Sequence, residues 1–109
     1  MEIREAQEKA KKLILHYGDF WAPLSMMARI SEEVGELARA MNIKYGGKKS
    51  KGDSDGREIE EELADILFTT LAMAEAQGID LGKVYEDKVK ADFEKMKGVY
   101  FKDEEPKEE

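Results

Sequence analysis

Apolar residues recur along this chain at three- and four-residue intervals, and no segment alternates polar with apolar residues over strand length, so the pattern predicts helices throughout. Ile3, Ala6, Ala10, Leu13 and Ile14 mark a first helix from Ile3 to Tyr17, which Gly18 ends. A short aromatic connector, Asp19-Phe20-Trp21-Ala22, leads to Pro23. Proline suits a first helical turn, where its missing amide hydrogen would have had no partner. The second helix then runs to Lys44 or Tyr45 on a stripe of Met27, Ile30, Val34, Leu37 and Met41, and Gly46-Gly47 stops it. The loop from Lys48 to Gly56 has little to pack. A third helix from Arg57 to Gln77 carries Ile59, Leu63, Ile66, Thr70, Met73 and Ala74 on one face, with Gly78 as its stop. Asp80 is placed to cap a fourth helix, which continues to Lys97 on Leu81, Val84, Tyr85, Val89, Phe93 and Met96. The tail from Lys102 to Glu109 is too charged to fold alone.

The third helix differs from the others. Between Leu63 and Ala74 only Asp65, Thr69 and Thr70 are polar, and the apolar residues surround the whole circumference. Such a helix needs neighbours on several sides. Three short partner helices barely supply them, and a chain of 109 residues with no cysteine cannot reinforce a small core with disulfides. The expectation is an all-α, four-helix bundle completed by oligomerisation. No run approaches the roughly 20 apolar residues of a membrane span, and Met1 to Lys12 is a charged amphipathic stretch without a signal-peptide core, which points to the cytoplasm and away from a membrane.

With 25 acidic and 18 basic residues the net charge is −7, which disfavours binding of a nucleic acid polymer. The lack of cysteine and the single histidine, His16, exclude a thiolate nucleophile and a multi-histidine zinc centre within one chain, so any metal is held mainly by oxygen. His16 itself reads as a helix-end residue.

Two acidic clusters stand out, Glu32-Glu33-Val34-Gly35-Glu36 and Glu60-Glu61-Glu62-Leu63-Ala64-Asp65. Spacing alone does not distinguish them, because a chain this acidic holds about five or six acidic i,i+3 pairs by chance. Orientation is more informative. At about 100° per residue, Glu33 and Glu36 lie about 60° and 120° to one side of Ile30, and Glu62 and Asp65 stand in the same relation to Ile59. Packed antiparallel, the two helices would bring Glu33, Glu36, Glu62 and Asp65 together at the edge of the core. Four such carboxylates stay ionised together only beside a cation, and an all-oxygen set suits Mg²⁺ or Mn²⁺. The same residues would also serve as solvated flanks making surface ion pairs.

Basic groups near this edge are Lys44, Lys48, Lys49, Lys51 and Arg57, either covering a polyphosphate or forming an ordinary soluble loop. On the fourth helix Lys88 and Asp92 fall within the apolar stripe, where they form a half-buried pair or Lys88 reaches a phosphate. Trp21, with Phe20 and Tyr17, either stacks a nucleobase or plugs a helix junction.

The runs from Pro23 to Arg39 and from Glu61 to Phe68 together resemble the MazG-type nucleotide pyrophosphohydrolases of the all-α NTP pyrophosphatase superfamily. The family pattern, Glu-Glu-x-x-Glu followed by Glu-x-x-Asp, fits Glu32, Glu33, Glu36, Glu62 and Asp65, with 25 residues between Glu36 and Glu62. The resemblance extends from about Phe20 to Met96. The chain reads as a single catalytic domain over residues 1–97 with a charged tail at 98–109, and the resemblance implies assembly as a homodimer or homotetramer. It implies Mg²⁺ held by Glu33, Glu36, Glu62 and Asp65, with Glu32 or Glu61 orienting or deprotonating water and Glu33 counted in both roles. The implied reaction cleaves nucleoside triphosphates, altered or deoxy forms among them, between the α and β phosphates to monophosphate and pyrophosphate. The family often has a Lys followed four residues later by Asn on its fourth helix; Lys88 and Asp92 stand there, so Asp departs from the pattern. The substrate contacts expected are Lys44, Lys48, Lys49, Lys88, Asp92 and Trp21. The competing expectation is a non-catalytic dimeric helical module that binds nucleotides or a partner protein.

Overall fold

The computed structural model describes residues 1–47 and 58–97, which form four helices and no strand: α1 (Ile3–Tyr17), α2 (Pro23–Tyr45), α3 (Glu58–Ala76) and α4 (Leu81–Met96). Lys48, Lys49, the start of the third helix at Arg57 and the tail fall outside the described residues. Pro23 occupies the first turn of α2. Gly78 adopts φ 68° and ends α3, with the Ile79 amide donating to the Ala74 carbonyl at 2.9 Å and the Gly78 amide to that of Glu75 at 3.2 Å. This left-handed step is open to glycine at little cost, and it turns the chain sharply into α4. The Asp80 side chain accepts from the Lys83 amide at the start of α4.

Helix α3 is central, packing against α2 on one side and α1 on another, while α4 packs chiefly on α1. Small side chains make the close approach possible: Ala10, Ala40, Ala72 and Ala74 are buried with Met26 and Leu71. The wholly buried Gln7 amide joins the layers. Its Nε2 donates to Glu75 Oε1 and the Ile79 carbonyl, and its Oε1 accepts from the Leu81 amide at 2.8 Å. Arg4 reaches the same Glu75 oxygen at 3.0 Å. The α3–α4 turn is thereby fastened to α1.

The core face of α2 differs from the stripe its hydrophobicity marks. Met26, Glu33 and Ala40 are buried, with Ile30 and Leu37 half-buried, whereas Met27, Val34 and Met41 are exposed. On α3, Thr69 is buried and Thr70 half-buried, its hydroxyl donating to the Ile66 carbonyl. Leu63 and Leu67 of α3 are more than half exposed, at 53% and 57%, so two neighbouring helices do not cover its apolar circumference. Among the described residues no helix is long and apolar enough to cross a membrane.

Candidate active site

The antiparallel pairing of α2 and α3 places acidic residues opposite each other. Glu33 contacts Thr69, and three residues further along α2 Glu36 meets Glu62, about two turns back on α3. Glu33 sits in the middle of the core face, only 4% exposed. Its Oε1 accepts two hydrogen bonds, from Thr69 Oγ1 at 2.9 Å and Arg29 Nε at 3.0 Å. Its Oε2 is buried with no hydrogen-bond partner.

Across the interface Glu62 is half-buried, and its Oε2 is likewise buried without a partner. Burial pushes the Glu62 carboxyl above its ordinary range, and a hydrogen bond with Glu36 and the negative charges of Glu36, Asp65 and Glu33 push it further. The four carboxylates singled out by helical orientation are therefore electrostatic neighbours. Glu36 and Asp65 are exposed, and among the described residues no three Asp, Glu or His side chains are placed together so that they could hold a metal ion as they stand. Arg29 stands among them. Its hydrogen bond to Glu33 and the charges of Glu33, Glu32 and Asp65 hold its guanidinium more firmly protonated.

These donors suit a hard divalent cation. Two buried carboxylate oxygens on facing helices, neither hydrogen-bonded, are costly until something positive meets them. Glu62→Gln provides a test. The raised folded pKa means that ionising Glu62 at neutral pH opposes folding, so the amide should raise the melting temperature in chelator. The wild type is expected to gain stability on addition of divalent cations, and the amide should reduce that gain. Thermal melts with EDTA and with Mg²⁺ measure both, and a lower melting temperature in EDTA would contradict the strain assigned to this carboxyl.

The remaining predicted site residues are spread more widely. Glu32 is exposed and lines an open depression of about 340 Å³ with Trp21, Ser25, Ala28 and Arg29. The Arg29 guanidinium lies over the Trp21 ring, 5.6 Å from its centroid. Glu61 is exposed on α3. Lys44 lies over the Tyr45 ring at the far end of α2. Lys88 and Asp92 pair with each other, both exposed by half or more at the side chain, so this pair is a surface pair and not half-buried. Among the described residues, the charged groups that perturb Glu62 lie on α2 and α3. Orientation alone did not single out Arg29 and Thr69. The usable signal was spacing, since Arg29 is four residues before Glu33 and Thr69 four after Asp65, each one turn away on the same face.

The model of the MazG nucleotide pyrophosphohydrolase domain matches residues 22–98, and the chain belongs to that family of enzymes. Members generally depend on divalent metal ions. Over 85 residues, 77% of each chain, the sequence is 39% identical to the uncharacterised protein YpjD of Bacillus subtilis. The crystal structure of YpjD, a candidate pyrophosphatase, superposes with a TM-score of 0.73 at 35% identity, covering 85% of this chain and 95% of that one. A Bacillus-conserved MazG protein, a nucleotide pyrophosphohydrolase, superposes with a TM-score of 0.70 at 36% identity, covering 85% of this chain and 90% of that one.

Proposed function

We propose that this chain is a Mg²⁺-dependent nucleoside triphosphate pyrophosphohydrolase that cleaves NTP or dNTP between the α and β phosphates to the monophosphate and pyrophosphate. Mn²⁺ is the natural substitute. The observation that carries this reading is the pair of buried, partnerless oxygens, Glu33 Oε2 and Glu62 Oε2, on facing helices within one electrostatic cluster. Glu33, Glu36, Glu62 and Asp65 would hold the ion. When bound, Mg²⁺ supplies neutralisation of the phosphate oxygens and of the charge that develops as the bond to the leaving pyrophosphate breaks.

The chain's own residues supply the rest. Glu32 or Glu61, both solvent-exposed next to metal-ligand positions, orients the attacking water and accepts its proton. Trp21 beside Glu32 offers an aromatic face for the base, and Arg29 between them supplies a fixed positive charge for phosphate oxygen. Lys44, Lys48, Lys49 and Lys88, with Asp92 at its side, are the further substrate contacts proposed, within a catalytic domain at 1–97. The exposed Leu63 and Leu67 support assembly as a homodimer or homotetramer. The cytoplasm, and the clearing of altered nucleotides there, suit such an enzyme.

The test is a hydrolysis panel of ordinary, deoxy and modified nucleoside triphosphates with Mg²⁺ and with chelator. Turnover that requires Mg²⁺ and is restored by Mn²⁺ is expected. Turnover undiminished in chelator would contradict the metal-dependent reading, and no turnover of any triphosphate would contradict the substrate class.

A further inference from the structure

The two oxygens of Glu33 are treated unequally. Oε1 accepts from Thr69 across the helix interface and from Arg29 one turn earlier on α2, at 2.9 Å and 3.0 Å. Oε2 is buried and accepts from nothing. A carboxylate whose first oxygen is held by two donors from two helices cannot rotate freely about its terminal bond, and it has one oxygen left to offer. Thr69 is itself only 2% exposed, so its hydroxyl is fixed by packing, with Glu33 as its acceptor.

Resting on the metal-site reading above, we infer that Thr69 and Arg29 are positioning residues that make Glu33 a one-oxygen ligand through Oε2, and so bias the site towards small octahedral cations over Ca²⁺. The chemistry follows from coordination preferences. Mg²⁺ and Mn²⁺ suit six well-separated single-oxygen donors, whereas Ca²⁺ takes six to eight oxygens and readily accepts both oxygens of one carboxylate. Holding Oε1 back from the ion removes the two-oxygen mode. Outer partners of this kind typically change metal affinity about 10–100-fold when removed. Arg29 adds a positive charge beside the ligand, and Thr69 adds direction without charge, so Thr69 isolates the geometric part of the effect.

Direct binding is the test. Mn²⁺ affinity is read from the free-ion electron paramagnetic resonance signal, and Ca²⁺ by competition against bound Mn²⁺, in wild type, Thr69→Val, Thr69→Ser and Glu33→Gln. Valine keeps the shape and removes the hydroxyl; serine keeps the hydroxyl. Expected is a roughly 10–100-fold loss of Mn²⁺ affinity in Thr69→Val with a smaller loss for Ca²⁺, and near-wild-type binding in Thr69→Ser. Melting in chelator registers any purely structural cost of the valine separately from binding. Equal losses for the two ions, or wild-type Mn²⁺ binding in Thr69→Val while Glu33→Gln binds poorly, would overturn the positioning role and leave the metal site standing. Absence of Mn²⁺ binding by the wild type would overturn both.

Discussion

Glu33→Gln is expected to reduce turnover by about a thousandfold or more while leaving the helical fold intact. The substitution keeps the volume of a side chain that is 4% exposed. Its amide oxygen can still accept from Thr69 and Arg29 in place of Oε1, so the packing of α2 on α3 is preserved. At the Oε2 position an amide nitrogen would then direct two hydrogens at the place where a cation is to bind, which converts an attraction into a repulsion. Asp65→Asn is expected to give the same loss, although Asp65 is exposed and contributes little to packing. Steady-state rates with saturating Mg²⁺, beside circular dichroism, separate lost chemistry from lost fold. Full activity in either variant would remove that carboxylate from the site.

The largest effect on stability is expected away from the site, from Gln7→Ala. Gln7 is wholly buried and joins Glu75, the Ile79 carbonyl and the Leu81 amide. Alanine leaves the Leu81 amide and the Ile79 carbonyl without that partner and opens space between α1 and the α3–α4 turn. Unsatisfied buried groups cost about 1–3 kcal/mol each; these two are only part-buried, so values near the lower end, together with the lost packing of the Gln7 side chain, give a total of about 3 kcal/mol. In a domain this small each kcal/mol moves the melting temperature by roughly 4–8 °C, so a fall of about 12–24 °C follows. Glu75 keeps Arg4 as a partner, which limits the damage on that side. A fall within the range of an ordinary surface substitution would show that the turn is held by other contacts.

The helices were legible in the sequence because their punctuation was strong. Pro23 at the start of α2, Gly78 after α3 and Asp80 before α4 each impose a local backbone choice that packing did not overrule. The phase of α2 was less legible. Hydrophobicity marks Met27, Val34 and Met41, but the fold buries Met26, Glu33 and Ala40. A glutamate carries no apolar signal, and an alanine is chosen at the interface for its small size. Helix orientation nevertheless grouped Glu33, Glu36, Glu62 and Asp65, because a residue's angle on a helix is fixed by its number whatever its neighbours do. Arg29 and Thr69 were harder to find, since their contribution depends on which oxygen of Glu33 they engage, and that is decided by contact across two helices. The Lys88–Asp92 pair shows the limit on α4, where an i,i+4 ion pair forms on the helix's own surface without needing a partner element.

The most direct test of the carboxylate site and its reaction is to separate the products of Mg²⁺-dependent triphosphate hydrolysis by anion exchange, with Glu33→Gln run in parallel. Equal amounts of nucleoside monophosphate and pyrophosphate from the wild type, and neither from the variant, is the predicted result. Nucleoside diphosphate with orthophosphate, or unchanged release of products by Glu33→Gln, would contradict it.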